Sequence, residues 1–178
     1  MNNSQESEDH PKNNDYQTIE QTMEKLSGGT RRLAAQLTTS ASFDSLWNVL
    51  TDYDRLNLYI PNLLSSKKIY QKNNNVHLKQ VGAQDFLGMK FSAEVTIDLF
   101  ENKELGLLKF SLIKGDFRKF EGSWKIQNIK DTSKNSLIYD LTVQGCQWMP
   151  IGMIEKRLKK DLSENLIAVD RQAKLSIN

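Results

Sequence analysis

The chain has 178 residues, 38% of them hydrophobic, with 24 basic and 22 acidic side chains and a net charge of +2. That length supports one domain with a real core, and the near balance of charge excludes a strong field for gripping nucleic acid. A single cysteine, Cys146, excludes an internal disulfide and fits a reducing compartment, and no apolar run reaches membrane-spanning length.

The first fifteen residues hold no apolar side chain beyond Met1 and are expected to form a disordered acidic tail. The opening MNNSQESEDH is acidic where a secretory signal would be basic ahead of an apolar core, so a cytoplasmic protein is expected. Residues 16–30 read as an N-terminal extension. Within it Tyr16, Ile19, Met23 and Leu26 fit a helical face, while Ser27-Gly28-Gly29-Thr30 suggests a hairpin; the extended reading is preferred.

The domain proper is expected to span residues 31–175. Leu33, Ala35 and Leu37 alternate as one face of a strand. Ser42 reads as a helix N-cap with Asp44 in the first turn, ahead of a short helix with Phe43, Leu46, Trp47 and Leu50 on its stripe. A second short helical turn, Asp52 to Tyr59, stops at Pro61. From Leu63 the period falls to two, with strands expected at 64–71, 75–83, 89–101, 106–114, 117–129 and 135–145 and turn residues between them. Phe91, Ala93, Val95, Ile97 and Leu99 share one face, and Ser92, Glu94, Thr96 and Asp98 the other. One apolar and one polar face imply an antiparallel sheet covered on a single side.

The cover is the last stretch. Ile151, Ile154, Leu158, Leu162, Leu166, Val169 and Ala173 recur at steps of three or four, so residues 150–173 form a long amphipathic helix entered through Pro150. Lys156, Arg157, Lys159, Lys160, Glu164 and Arg171 are expected to face water. The fold class is therefore α+β: a curved antiparallel sheet of about seven strands, two short helices, and a long C-terminal helix across the concave face. A curled sheet of this size need not close, and the gap beneath the helix is a natural apolar pocket.

The ionisable residues do not assemble into a recognisable catalytic or metal centre. His77 and Cys146 lie far apart without companions at ligand spacing, so neither a metal nor another cofactor is expected. Glu94, Asp98 and Glu121 fall on the outward parity, and Tyr139 is the best polar candidate inside. Arg31-Arg32, Lys67-Lys68 and Lys156 to Lys160 are short, separated basic runs without interleaved aromatics, which argues against nucleic acid. The last of them is compatible with transient contact with an anionic membrane surface, although a solvated helix face is preferred.

Particular stretches carry a family likeness. Leu46-Trp47-Asn48-Val49-Leu50-Thr51-Asp52-Tyr53, Tyr59-Ile60-Pro61-Asn62-Leu63, Gly115-Asp116-Phe117, Phe120-Glu121-Gly122-Ser123-Trp124 and the helix from Leu158 to Ala168 stand in an order that resembles the START-like helix-grip (SRPBCC) superfamily. Within it they resemble the polyketide cyclase/dehydrase and coenzyme Q-binding group, in a version common in photosynthetic prokaryotes. The resemblance covers residues 30–173. It implies a helix-grip fold and a monomer that holds a hydrophobic small molecule (a lipid, an isoprenoid quinone or a pigment-like compound) between sheet and C-terminal helix. Opening near residues 53–64 or 146–152 would admit the molecule, with Trp148 and Met149 at the rim. Val95, Phe110, Phe120, Trp124, Tyr139, Leu141, Leu158 and Leu162 are expected to line cavity or core. A binding role is preferred to an enzymatic one, and the alternative is a cyclase or dehydratase acting on a polyketide-like substrate.

Overall fold

The computed structural model describes residues 19–86, 89–146 and 151–176, with the side chains of 84–86, 89–90, 151–154 and 156 outside that description. Eight strands and two α-helices run in the order β1 (Ile19–Lys25), β2 (Arg31–Thr39), α1 (Phe43–Thr51), β3 (Leu63–Lys72), β4 (Asn75–Phe86), β5 (Met89–Asn102), β6 (Leu107–Gly115), β7 (Phe117–Asn128), β8 (Asn135–Gly145) and α2 (Ile151–Leu175). A 3₁₀ helix, Tyr53–Leu58, follows α1, one residue shorter at each end than the run expected from sequence.

All strands belong to one sheet in the spatial order β1-β2-β8-β7-β6-β5-β4-β3, each neighbour antiparallel. The count is eight rather than about seven because residues 19–25 pair in register with β2, from Ile19 opposite Leu37 to Lys25 opposite Arg31. The turn that makes this possible carries Gly28 and Gly29 at φ of 64° and 76°, a conformation that costs a residue with a Cβ. Because β2 lies near one edge and β3 at the other, α1 and the 3₁₀ helix cross the sheet between them.

The side chains of β2 alternate cleanly: Arg31, Leu33, Ala35, Leu37 and Thr39 are buried. The inward sets of the later strands supply Leu78, Val95, Ile97, Leu99, Leu108, Phe110, Ile126, Leu137, Tyr139, Leu141 and Val143 to the same core. Register shifts interrupt the β3–β4, β5–β6 and β7–β8 pairs. Irregularities of this kind sharpen local twist and help a sheet of this width to curl.

Into the curl fits α2, resting on β2 with further contact to β8, β1 and α1. Leu162, Leu166, Val169 and Ala173 are buried. Ser42 caps α1 as expected, its Oγ accepting from the Ser45 N–H at 3.1 Å. One assignment needs correction. Arg157 does not face water as Lys159, Lys160 and Arg171 do, but turns toward Asp161 one helical turn on, 3.1 Å from Nε to Oδ1. No described helix is long and apolar enough to cross a membrane.

Candidate functional site

Between α2 and the sheet lies a cavity of about 350 Å³, within the range of roughly 300–1,000 Å³ usual for small-molecule sites. It draws residues from all six strands β3 to β8, from α1, the 3₁₀ segment and α2. Strands in a sheet stand about 4.8 Å apart, so one cavity can touch six of them only if the sheet bends around it.

Eight of the nine side chains expected from sequence line this space: Val95, Phe110, Phe120, Trp124, Tyr139, Leu141, Leu158 and Leu162. The ninth, Trp148, lies outside the described residues, as does Met149. The alternation that identified the six on strands works because these inward positions on β5 to β8 meet the interior. Aromatic packing stiffens the floor. Trp124 stacks on Tyr139 with ring centroids 4.0 Å apart, and Phe110 lies 5.6 Å from Phe120 and 6.3 Å from Tyr139.

One side of the lining is partly exposed: Ile60, Pro61 and Asn62 leading into β3, and Phe91 to Ala93 at the start of β5. Phe91 is 36% exposed. An apolar ring thus stands at the boundary of cavity and solvent. Of the two stretches where sequence places an opening, 53–64 contributes Ile60 to Asn62 to this side, and residues 147–150 of the other are not described.

The sequence reading missed the polar part of the wall. Arg157, Asp161 and Asn165 line the cavity from successive turns of α2, and Asn62 and Gln80 line it from outside the helix. Asn62 Nδ2 donates to Asp161 Oδ1 at 3.3 Å, joining the start of β3 to the helix. Each of the three α2 residues immediately precedes an apolar stripe residue, Leu158, Leu162 or Leu166. That spacing of four beside the stripe is the signal that could have revealed them.

Electrostatics follow from burial. The Tyr139 hydroxyl is held well above its ordinary range, chiefly by burial and secondarily by the negative charge of Asp161. It stays protonated and available as a donor at any physiological pH. Tyr53, also on the lining, is raised by burial and by donating to Glu101 Oε1 at 2.5 Å. Glu94 and Asp98 stand outside on the solvent face, paired with Lys79 at 3.0 Å and His77 at 3.4 Å. Glu121 pairs with Lys119 at 2.9 Å. None of these three carboxylates belongs to the cavity wall.

Comparison with known proteins agrees with this architecture. A STAR-related lipid transfer protein from Xanthomonas axonopodis superposes with a TM-score of 0.76 at 11% identity, covering 88% of this chain and 93% of that one. The Zhui aromatase/cyclase from Streptomyces gives 0.71 at 14% identity, over 84% and 96%. Human StAR-related lipid transfer protein 5 gives 0.72 at 6% identity, over 90% and 84%. No curated protein matches the sequence closely. At such identities the likeness is one of fold. The family model for polyketide cyclase/dehydrase and lipid transport matches residues 39–170, most of the chain, and the protein belongs to that family.

Proposed function

We propose that the chain binds a hydrophobic small molecule, of the lipid, isoprenoid quinone or pigment-like kind, and carries or shields it in the cavity under α2. The observation that carries this reading is the cavity itself: a space of about 350 Å³ walled by Val95, Phe110, Phe120, Trp124, Leu141, Leu158 and Leu162. Apolar surface leaving water contributes roughly 25 cal/mol per Å², so such walls retain an apolar guest without any covalent step. Membership of a family that includes lipid transport, and a fold shared with lipid transfer proteins, support the same role.

The test is extraction of small molecules from the purified native protein followed by mass identification, with Ala93→Phe alongside. Ala93 lines the cavity near its exposed side, and a phenyl ring there occupies the space. A lipophile recovered from the wild type and absent from the variant supports the reading. An empty wild type that also takes up no added lipophile defeats it.

A second reading, a cyclase or dehydratase acting on a polyketide-like chain, is favoured by one observation: Arg157, Asp161 and Tyr139 all reach the same cavity. Against it, Asp161 is engaged by Arg157 and Asn62, and the phenol holds its proton too tightly to act as a base. Dehydrated or cyclised product from a linear β-ketoacyl substrate, lost in Asp161→Asn, would establish it.

A further inference from the structure

We infer that the cavity takes an amphiphile with a single polar end, tail first: the tail runs along α2 toward α1, and the polar head stays in water beside Asn62, Ser92 and Arg157. This rests on the binding role proposed above and adds the class and direction of the guest. Two ties fix how α2 lies on the sheet. Glu155 accepts from Arg31 at the start of β2, and Asp170 accepts from Thr39 at its end, so the helix runs the same way as that strand. Strand register sets Leu63 opposite Gly82 and Gly82 opposite Ala93, and the Asn62 side chain joins this end of the sheet to Asp161 in the first half of α2. The lining of the cavity along the helix therefore has two ends, Arg157 and Val169, roughly 18 Å apart at 1.5 Å per residue.

The two ends differ in the same sense in exposure and in polarity. At the first, Asn62 and Ser92 are exposed, and the Arg157 and Asp161 side chains keep 27% and 15% of their surface. At the second, Leu50, Tyr53, Leu99, Leu108 and Val169 form the wall, all of them buried, with no charged or amide side chain among them. There α1 packs against α2 and closes the end, and the Tyr53 hydroxyl is already given to Glu101. A polar head pushed to the closed end gives up its water among those side chains, which is costly. A tail placed there leaves water and gains by it. A head left at the first end keeps its hydration and needs no particular partner. A guest polar at both ends must strand one of them.

Two photoreactive dodecanols test the direction on the full chain, one with its diazirine at the methyl end and one with it beside the hydroxyl. Each is irradiated with and without excess plain dodecanol, and the labelled residues are mapped by mass spectrometry. We expect the first reagent to label Leu50, Leu99, Leu108 or Val169, and the second Asn62, Ser92 or Arg157. In calorimetric titration the matching α,ω-diol should bind about ten-fold more weakly than dodecanol, the usual consequence of stranding one buried hydroxyl. Reversed labelling, the same labelling by both reagents, or a diol that binds as tightly as dodecanol overturns the inference and leaves the binding role standing. Dodecanol that neither binds nor protects the cavity from labelling defeats the binding role, and this inference with it.

Discussion

A methyl group at position 122 would stand 2.0 Å from the Asp140 carbonyl oxygen and 2.9 Å from Phe110 Cζ. Gly122, between Phe120 and Trp124 on β7, leaves room for a neighbouring group. The room is filled by Phe110 and by the backbone of β8, which cannot step aside without parting from β7. Gly122→Ala should therefore destabilise the domain by about 1–3 kcal/mol or more, read from the urea midpoint, even though it adds apolar volume to a core strand. Residue-level legibility was uneven for a physical reason. Apolar positions on β5 to β8 announce themselves because burial and the two-residue period coincide. Arg157, Asp161 and Asn165 do not, because a charged or amide side chain beside an apolar stripe looks the same whether it faces water or a polar patch of wall. Only the burial of its partner distinguishes the two cases.

The two halves of α2 are held by different forces. The C-terminal half buries Leu166, Val169 and Ala173 and anchors Asp170, itself buried, which accepts from the Thr39 hydroxyl and pairs with Lys174 at 2.9 Å. The same Thr39 oxygen accepts from the Ala41 N–H at 2.8 Å. Thr39→Val keeps the shape and removes this node, and should cost about 1–3 kcal/mol by chemical denaturation. The N-terminal half depends on polar ties to β1 and β2. Glu155 accepts from Arg31 Nε at 2.6 Å and pairs with Lys25 at 3.5 Å, and Gln21 donates to the Lys159 carbonyl at 2.6 Å. The Arg31 hydrogen bond, against a smaller opposing effect of desolvation, holds the Glu155 carboxyl below its ordinary value of 4.5. A lowered carboxyl contributes above the unfolded value and is lost as pH falls through the folded one. Acidification through that range should raise amide exchange at residues 155–160 while 166–173 stay protected, and Glu155→Gln should show the faster exchange already at neutral pH. The strand that supplies Gln21 and Lys25 was hard to assign from sequence because Ile19 and Met23, its half-buried residues, stand four apart. That spacing satisfies a helix face and a strand face alike, and pairing with β2 decides between them.

At the scale of the whole molecule, the sheet could be closed on its helix with larger side chains, yet the inward position 93 carries alanine and the space beside it stays open. Interiors are normally packed without voids larger than a few atoms, and unfilled volume forfeits contacts that would otherwise stabilise the fold. A domain organised for packing alone would gain from filling it. A domain organised around a guest would not, because the guest restores those contacts when it binds. The two cases separate in a thermal scan. A ligand at a hundred times its Kd adds about 2.7 kcal/mol to the folded state, which for a chain of this length raises Tm by roughly 5–10 °C. Delipidated wild type should show that rise on addition of a bound lipophile. Ala93→Phe should start at an equal or higher Tm than delipidated wild type, since its ring fills existing space rather than displacing neighbours, and should show no rise at all. A variant that is no less stable and yet deaf to ligand would mean that the opening under α2 is kept for occupancy; a ligand-dependent rise preserved in Ala93→Phe would place the occupied site elsewhere on the molecule.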